Sequence, residues 1–168
     1  MTDELVQWTA WLAMAALGAS AAARLARKPG QSGDASRRRA LWSAACVLLW
    51  IHVACAFQFV HHWSHAAAYA HTARQTAQVT GFDWGGGIYF NYLLMILWAG
   101  DVAWWWLAPR SFRDRSPVIG QILCGFVAFM AVNAAVVFAS GPLRWLALGV
   151  ILVLGVWAIR RRTRARTP

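Results

Sequence analysis

Five apolar runs, each close to the length a bilayer demands, constrain this chain more than any other feature of its sequence. They cover about residues 5–25, 40–60, 88–107, 118–140 and 143–159. A hydrocarbon core of roughly 30 Å needs about 20 apolar residues in a helix. In lipid, every backbone N–H and C=O must be paired within its own segment, so runs this apolar are helices. The expected fold is therefore all-α, a polytopic transmembrane helical bundle of five helices forming a single domain. Composition agrees. The chain is 60% hydrophobic and 13% charged, whereas a soluble domain is nearer half apolar and a quarter charged.

The basic residues set an expected orientation, because cytoplasmic loops collect Lys and Arg. Arg24, Arg27, Lys28 and Arg37 to Arg39 follow the first run. Arg110, Arg113 and Arg115 follow the third. Arg160 to Arg162, Arg164 and Arg166 follow the fifth. Five crossings bring all of these to one side and leave Arg74 and Arg144 on the other, which predicts an outer N-terminus and a cytoplasmic C-terminus. The first run is expected to be a retained helix, not a signal peptide, since Asp3 and Glu4 stand where a basic region would be. Residues 27–39, with Pro29, Gly30 and Gly33, read as a cytoplasmic loop, and residues 160–168 as a basic, unstructured tail. The expected location is the inner (plasma) membrane, multi-pass. The preference for Arg over Lys, with Lys28 the one exception, suggests a GC-rich bacterial genome.

The net charge of +10 follows from this topology, so nucleic acid is not an expected partner. The bilayer is the expected partner, with other membrane subunits or a second copy of the chain as further possibilities. Tryptophan supports the picture: Trp8, Trp11, Trp63, Trp84 and Trp145 fall near outer ends, and Trp42, Trp104, Trp105, Trp106 and Trp157 near inner ends, as interfacial belts do. Cys46, Cys55 and Cys124 all lie in apolar runs without C-x-x-C spacing, so they read as small hydrophobes and not as a disulfide or zinc framework.

Residues 61–87 are too polar to span. Up to Gly81 they contain neither Pro nor Gly. The second helix is therefore expected to extend past the membrane to about Thr80, with Gly81 as its C-cap and residues 83–87 turning back into the third helix. On a continuous helix Gln58, His61, His62, His65, Tyr69, Thr72 and Thr76 share one face. His61 with His65 and His62 with His65 then have i, i+4 and i, i+3 spacing, which lets two imidazoles chelate one metal ion.

The candidate ligands are His61, His62, His65 and His71, with His52, in mid-helix, as a further ligand or as the floor of an outward polar pocket. Tyr69, Asn91 and Asn133 are candidate supporting groups in that pocket. The candidate cofactor is a transition metal (Cu, Zn or Fe). Haem has less support: one run alone carries a mid-membrane histidine, and no C-x-x-C-H occurs. Each histidine also has a plainer reading, as an interfacial or interhelical hydrogen-bonding group. Asp101 is the one carboxylate inside an apolar run. It is either a proton relay or a packing residue hydrogen-bonded to Trp, Tyr or backbone.

The functional expectation is an integral membrane protein with an outward-facing, histidine-lined metal or redox site. An accessory subunit of a larger membrane complex and a small transporter or proton-conducting protein are the alternatives. No catalytic triad or cysteine–histidine nucleophile can be drawn from the sequence.

Overall fold

A computed structural model describes residues 2–26, 33–138 and 142–164. Among the described residues the protein is all-helical, with no strand. In chain order the helices are α1 (Thr2–Leu25), α2 (Gly33–Phe59), α3 (His65–Thr80), α4 (Gly87–Leu107), α5 (Pro109–Asp114), α6 (Pro117–Val132) and α7 (Pro142–Arg164), with a π-helical turn at Asn133–Val137. Among the described residues three stretches are long and apolar enough to cross a membrane: Glu4–Leu25, Ala35–Phe59 and Pro117–Val137. α4 has 21 residues, about 31 Å at the usual rise.

The chain forms two compact units, residues 1–130 and 131–168. In the first, α1 and α2 pack as a long antiparallel pair. Thr9, Ala13 and Ser20 of α1 are buried. Their spacing of four and seven puts them on one helix face, and small side chains there allow close backbone approach. Trp42, Ala45 and Cys46 of α2 join Leu94 and Trp98 of α4 and Leu123 and Val127 of α6 in the core. The Trp42 and Trp98 rings lie 4.6 Å apart at its centre. In the second unit the π-helical turn packs against α7. There the Phe138 N–H donates to the Asn133 carbonyl at 3.0 Å, the five-residue closure that defines a π-helix.

Several boundaries differ from expectation. α2 begins at Gly33, not near residue 40, because Ala35 to Arg39 contains good helix formers that extend it; Pro29 and Gly30 of the expected loop lie outside the described residues. α7 stays helical through Arg160 to Arg164, where an unstructured tail was expected. Cations suit the C-terminal end of a helix dipole.

The largest difference is at residues 60–64. α2 does not continue into α3. His62 and Trp63 adopt left-handed backbone, with φ of 49° and 57°, and the chain leaves the helix there. The break is held by its own hydrogen bonds. Trp63 N–H reaches the Phe57 carbonyl at 2.9 Å, and the Trp63 indole N–H donates to Gln58 Oε1 at 2.8 Å. Ser64 then caps the new helix, its Oγ accepting from Ala67 N–H at 3.2 Å, as N-cap serines do. The far end is as expected: Gly81 has φ of 81° and its N–H bonds the Ala77 carbonyl, a conformation glycine adopts without a Cβ penalty.

Candidate functional site

The break at residues 60–64 decides what the histidines can do. The i, i+4 and i, i+3 spacings that pair His61 and His62 with His65 belong to one continuous helix, and the joint removes that phase. Among the described residues no three His, Cys, Asp or Glu side chains assemble into a group able to hold a metal ion. The expected His61–His62–His65 ligand set is therefore not formed.

His65 instead starts α3 and turns toward α4. Tyr89 and Tyr92 stand on the first turns of α4, three residues apart and so on one face. The Tyr92 hydroxyl is 2.9 Å from His65 Nδ1, and the Tyr89 hydroxyl is 3.5 Å from Nε2. The ring of Tyr69, one turn along α3, lies 6.5 Å from that of His65. The three tyrosines of the chain thus surround one imidazole. A hydroxyl both donates and accepts, and a neutral imidazole does one at each nitrogen. The cluster can therefore hold a proton on either side of His65.

The turn Trp84–Gly87 makes this approach possible. A Cβ on Gly85 would sit 2.4 Å from the Tyr69 carbonyl oxygen and 2.5 Å from its ring. Only glycine lets the α4 entry lie this close to α3.

His61 faces His71, with ring centroids 5.3 Å apart. Phe57 links the two halves of the cluster, 5.5 Å from His61 and 6.3 Å from Tyr92. Burial first, then the nearby His71 and His62, hold the His61 pKa below its ordinary 6.5. The unfolded chain therefore binds this proton at a pH where the folded one does not, so stability rises with pH across that window. The His61 contribution is complete above pH 6.5 and declines as pH falls through it toward the lower folded value. His61→Gln is expected to remove this part of the acid loss, as thermal unfolding in detergent at about pH 5 and about pH 8 would read.

The remaining candidates lie elsewhere. His52 joins α1 to α2. Its Nδ1 is 3.2 Å from the Val6 carbonyl and 3.3 Å from Thr9 Oγ1. A carbonyl only accepts, so Nδ1 carries the proton, and His52 acts as an interhelical tie instead of a pocket floor. Asn91 is exposed on α4. Asn133 belongs to the second unit.

Asp101 is buried, and both its oxygens are engaged. Trp42 Nε1–H donates to Oδ2 at 2.8 Å, and the Arg115 guanidinium pairs with Oδ1. Arg115 also lies over the Phe112 ring at 3.7 Å. This is the packing arrangement, with an arginine that the sequence did not single out.

Tyr89 and Tyr92 are the cluster residues that the sequence did not single out. The available signal was that every tyrosine falls within Tyr69–Tyr92, on either side of a triple glycine. No family model matches the chain, and neither a curated protein nor a solved structure shows detectable similarity to it.

Proposed function

We propose that this is a multi-pass membrane protein with five crossings, an outer N-terminus and a cytoplasmic C-terminus, whose outward end carries a redox-active, proton-exchanging histidine–tyrosine site. The 2.9 Å hydrogen bond between His65 and Tyr92 carries this reading. A phenol beside an imidazole can release its proton as its electron density is drawn off, and the pair therefore suits chemistry that couples electrons to protons. His61 and His71 supply two imidazoles at the same end. They fall short of the three protein ligands usual in catalytic zinc sites, so a metal held there would complete its shell with water or with a bound ligand. The arginine bias of one set of loops supports the orientation.

The test is metal content and an absorption spectrum of protein extracted in mild detergent without an affinity histidine tag. The expected result is a bound transition metal or chromophore. It should be lost in the His61→Ala/His71→Ala variant, and its spectrum should shift in Tyr92→Phe, which removes one hydroxyl and keeps the ring. A colourless, metal-free sample would overturn the reading.

The accessory-subunit alternative rests on a separate observation. Only 17%, 17% and 11% of the three span windows are buried, which leaves broad apolar faces for lipid or for partner helices. Co-purification of a second membrane protein with a colourless sample would favour it. The proton-conducting alternative has less support, since Asp101 and His52 are each engaged by fixed partners.

A further inference from the structure

At the end opposite the histidines, arginines and aromatic rings interlock. The Arg24 guanidinium lies 4.2 Å from the Trp42 ring. Arg39 lies 3.9 Å from the Trp106 ring and donates to the Trp105 carbonyl at 3.5 Å. Trp106 Nε1–H donates to Ser43 Oγ at 2.9 Å. These contacts clamp the first turns of α2 to the last turn of α4.

The short helix α5 continues from there. Its Phe112 is buried and stacks on Trp105 at 4.6 Å with an 8° interplanar angle, so α5 lies with its apolar side on the bundle. Arg110 and Arg113 are exposed and have no carboxylate partner among the described residues. Arg37 is likewise exposed at the start of α2. Of the acids at this end, Asp101 is committed to Arg115 and Trp42, and Asp114, exposed on α5, makes no ion pair among the described residues and leaves the three exposed arginines in excess of it. This end is therefore a basic rim, held by rings of the kind that sit at the headgroup level.

We propose that this rim, with Arg110 and Arg113 of α5 and Arg37 of α2, binds the phosphodiester of an anionic phospholipid. Charge complementarity identifies the occupant. An arginine fork matches phosphate oxygens in a way that a zwitterionic headgroup, with its own cation, offsets. α5 has the amphipathic form of a helix lying in the interfacial plane. The proposal rests on α4 crossing the membrane, but not on which side its basic end faces.

Native mass spectrometry of the full chain in mild detergent, with phosphatidylglycerol or phosphatidylcholine added, tests it. Two arginines near a headgroup should give phosphatidylglycerol a preference of roughly thirtyfold. Arg110→Gln/Arg113→Gln should abolish the preference, whereas Arg110→Lys/Arg113→Lys, which keeps the charge and loses the fork, should keep part of it. Added salt should weaken the wild-type preference. Equal retention of the two lipids by the wild type would overturn the proposal. So would a preference that survives in the glutamine variant, since the lipid would then be held elsewhere. A detergent micelle has no sidedness, so a wrong orientation would leave the outcome unchanged, and an absent metal or chromophore would not affect it.

Discussion

Asp101→Ala is expected to destabilise the bundle by about 3 kcal/mol, the scale seen when one partner of a buried ion pair is removed. The carboxylate is the shared acceptor for Trp42 on α2 and Arg115 beside α6. Its loss leaves the Trp42 indole N–H without an acceptor at the core and a guanidinium held among rings without its counter-charge. Asp101→Asn keeps an acceptor for Trp42 and loses only the charge, so it should cost less. Unfolding in mixed detergent micelles, followed by helical circular dichroism, would measure both. Full stability in Asp101→Ala together with loss of proton flux in vesicles would restore the relay role and displace the structural one.

Gly85→Ala is expected to cost about 3 kcal/mol, the upper range for an added methyl in a closed contact, and to separate the two halves of the histidine–tyrosine cluster. Its Cβ would press on the Tyr69 backbone carbonyl at 2.4 Å. A side chain can rotate away, but a carbonyl inside α3 cannot move without shifting the helix. Gly86→Ala is the control. The three atoms nearest its Cβ all belong to the Trp84 indole, and that exposed side chain is free to swing aside. The Gly85 variant should lose the His65–Tyr92 hydrogen bond, which the imidazole chemical shifts of His65 would report, and the Gly86 variant should retain it. Equal behaviour of the two variants would mean that the α3–α4 approach does not depend on Gly85.

The two ends of the molecule differed in how well sequence described them. At the basic end, the alternatives considered for Asp101 included a hydrogen bond to tryptophan, which is what Trp42 provides. Its second partner, Arg115, had been read only as a topogenic charge, because nothing local links residues 101 and 115. At the histidine end, the spacing argument for His61, His62 and His65 was sound for an unbroken helix. The helix it assumed is broken because the chain between Phe59 and Ser64 takes left-handed backbone at His62 and Trp63, a conformation uncommon outside glycine. Gly81 was legible for the opposite reason: a single glycine after a run of helix formers has one common use.

What the sequence determined by itself is the class, an all-helical chain with apolar helices of membrane length; it pointed to five such helices, and the structure has three among the described residues. Hydrophobicity and backbone hydrogen-bond satisfaction are properties of each segment alone, so they can be read residue by residue. Tertiary structure alone decided which polar groups meet. Each residue turns a helix by 100°, so the five residues of the α2–α3 joint reset the phase of everything after them. That turned His65 away from His61 and toward Tyr89 and Tyr92, and it placed His61 against His71.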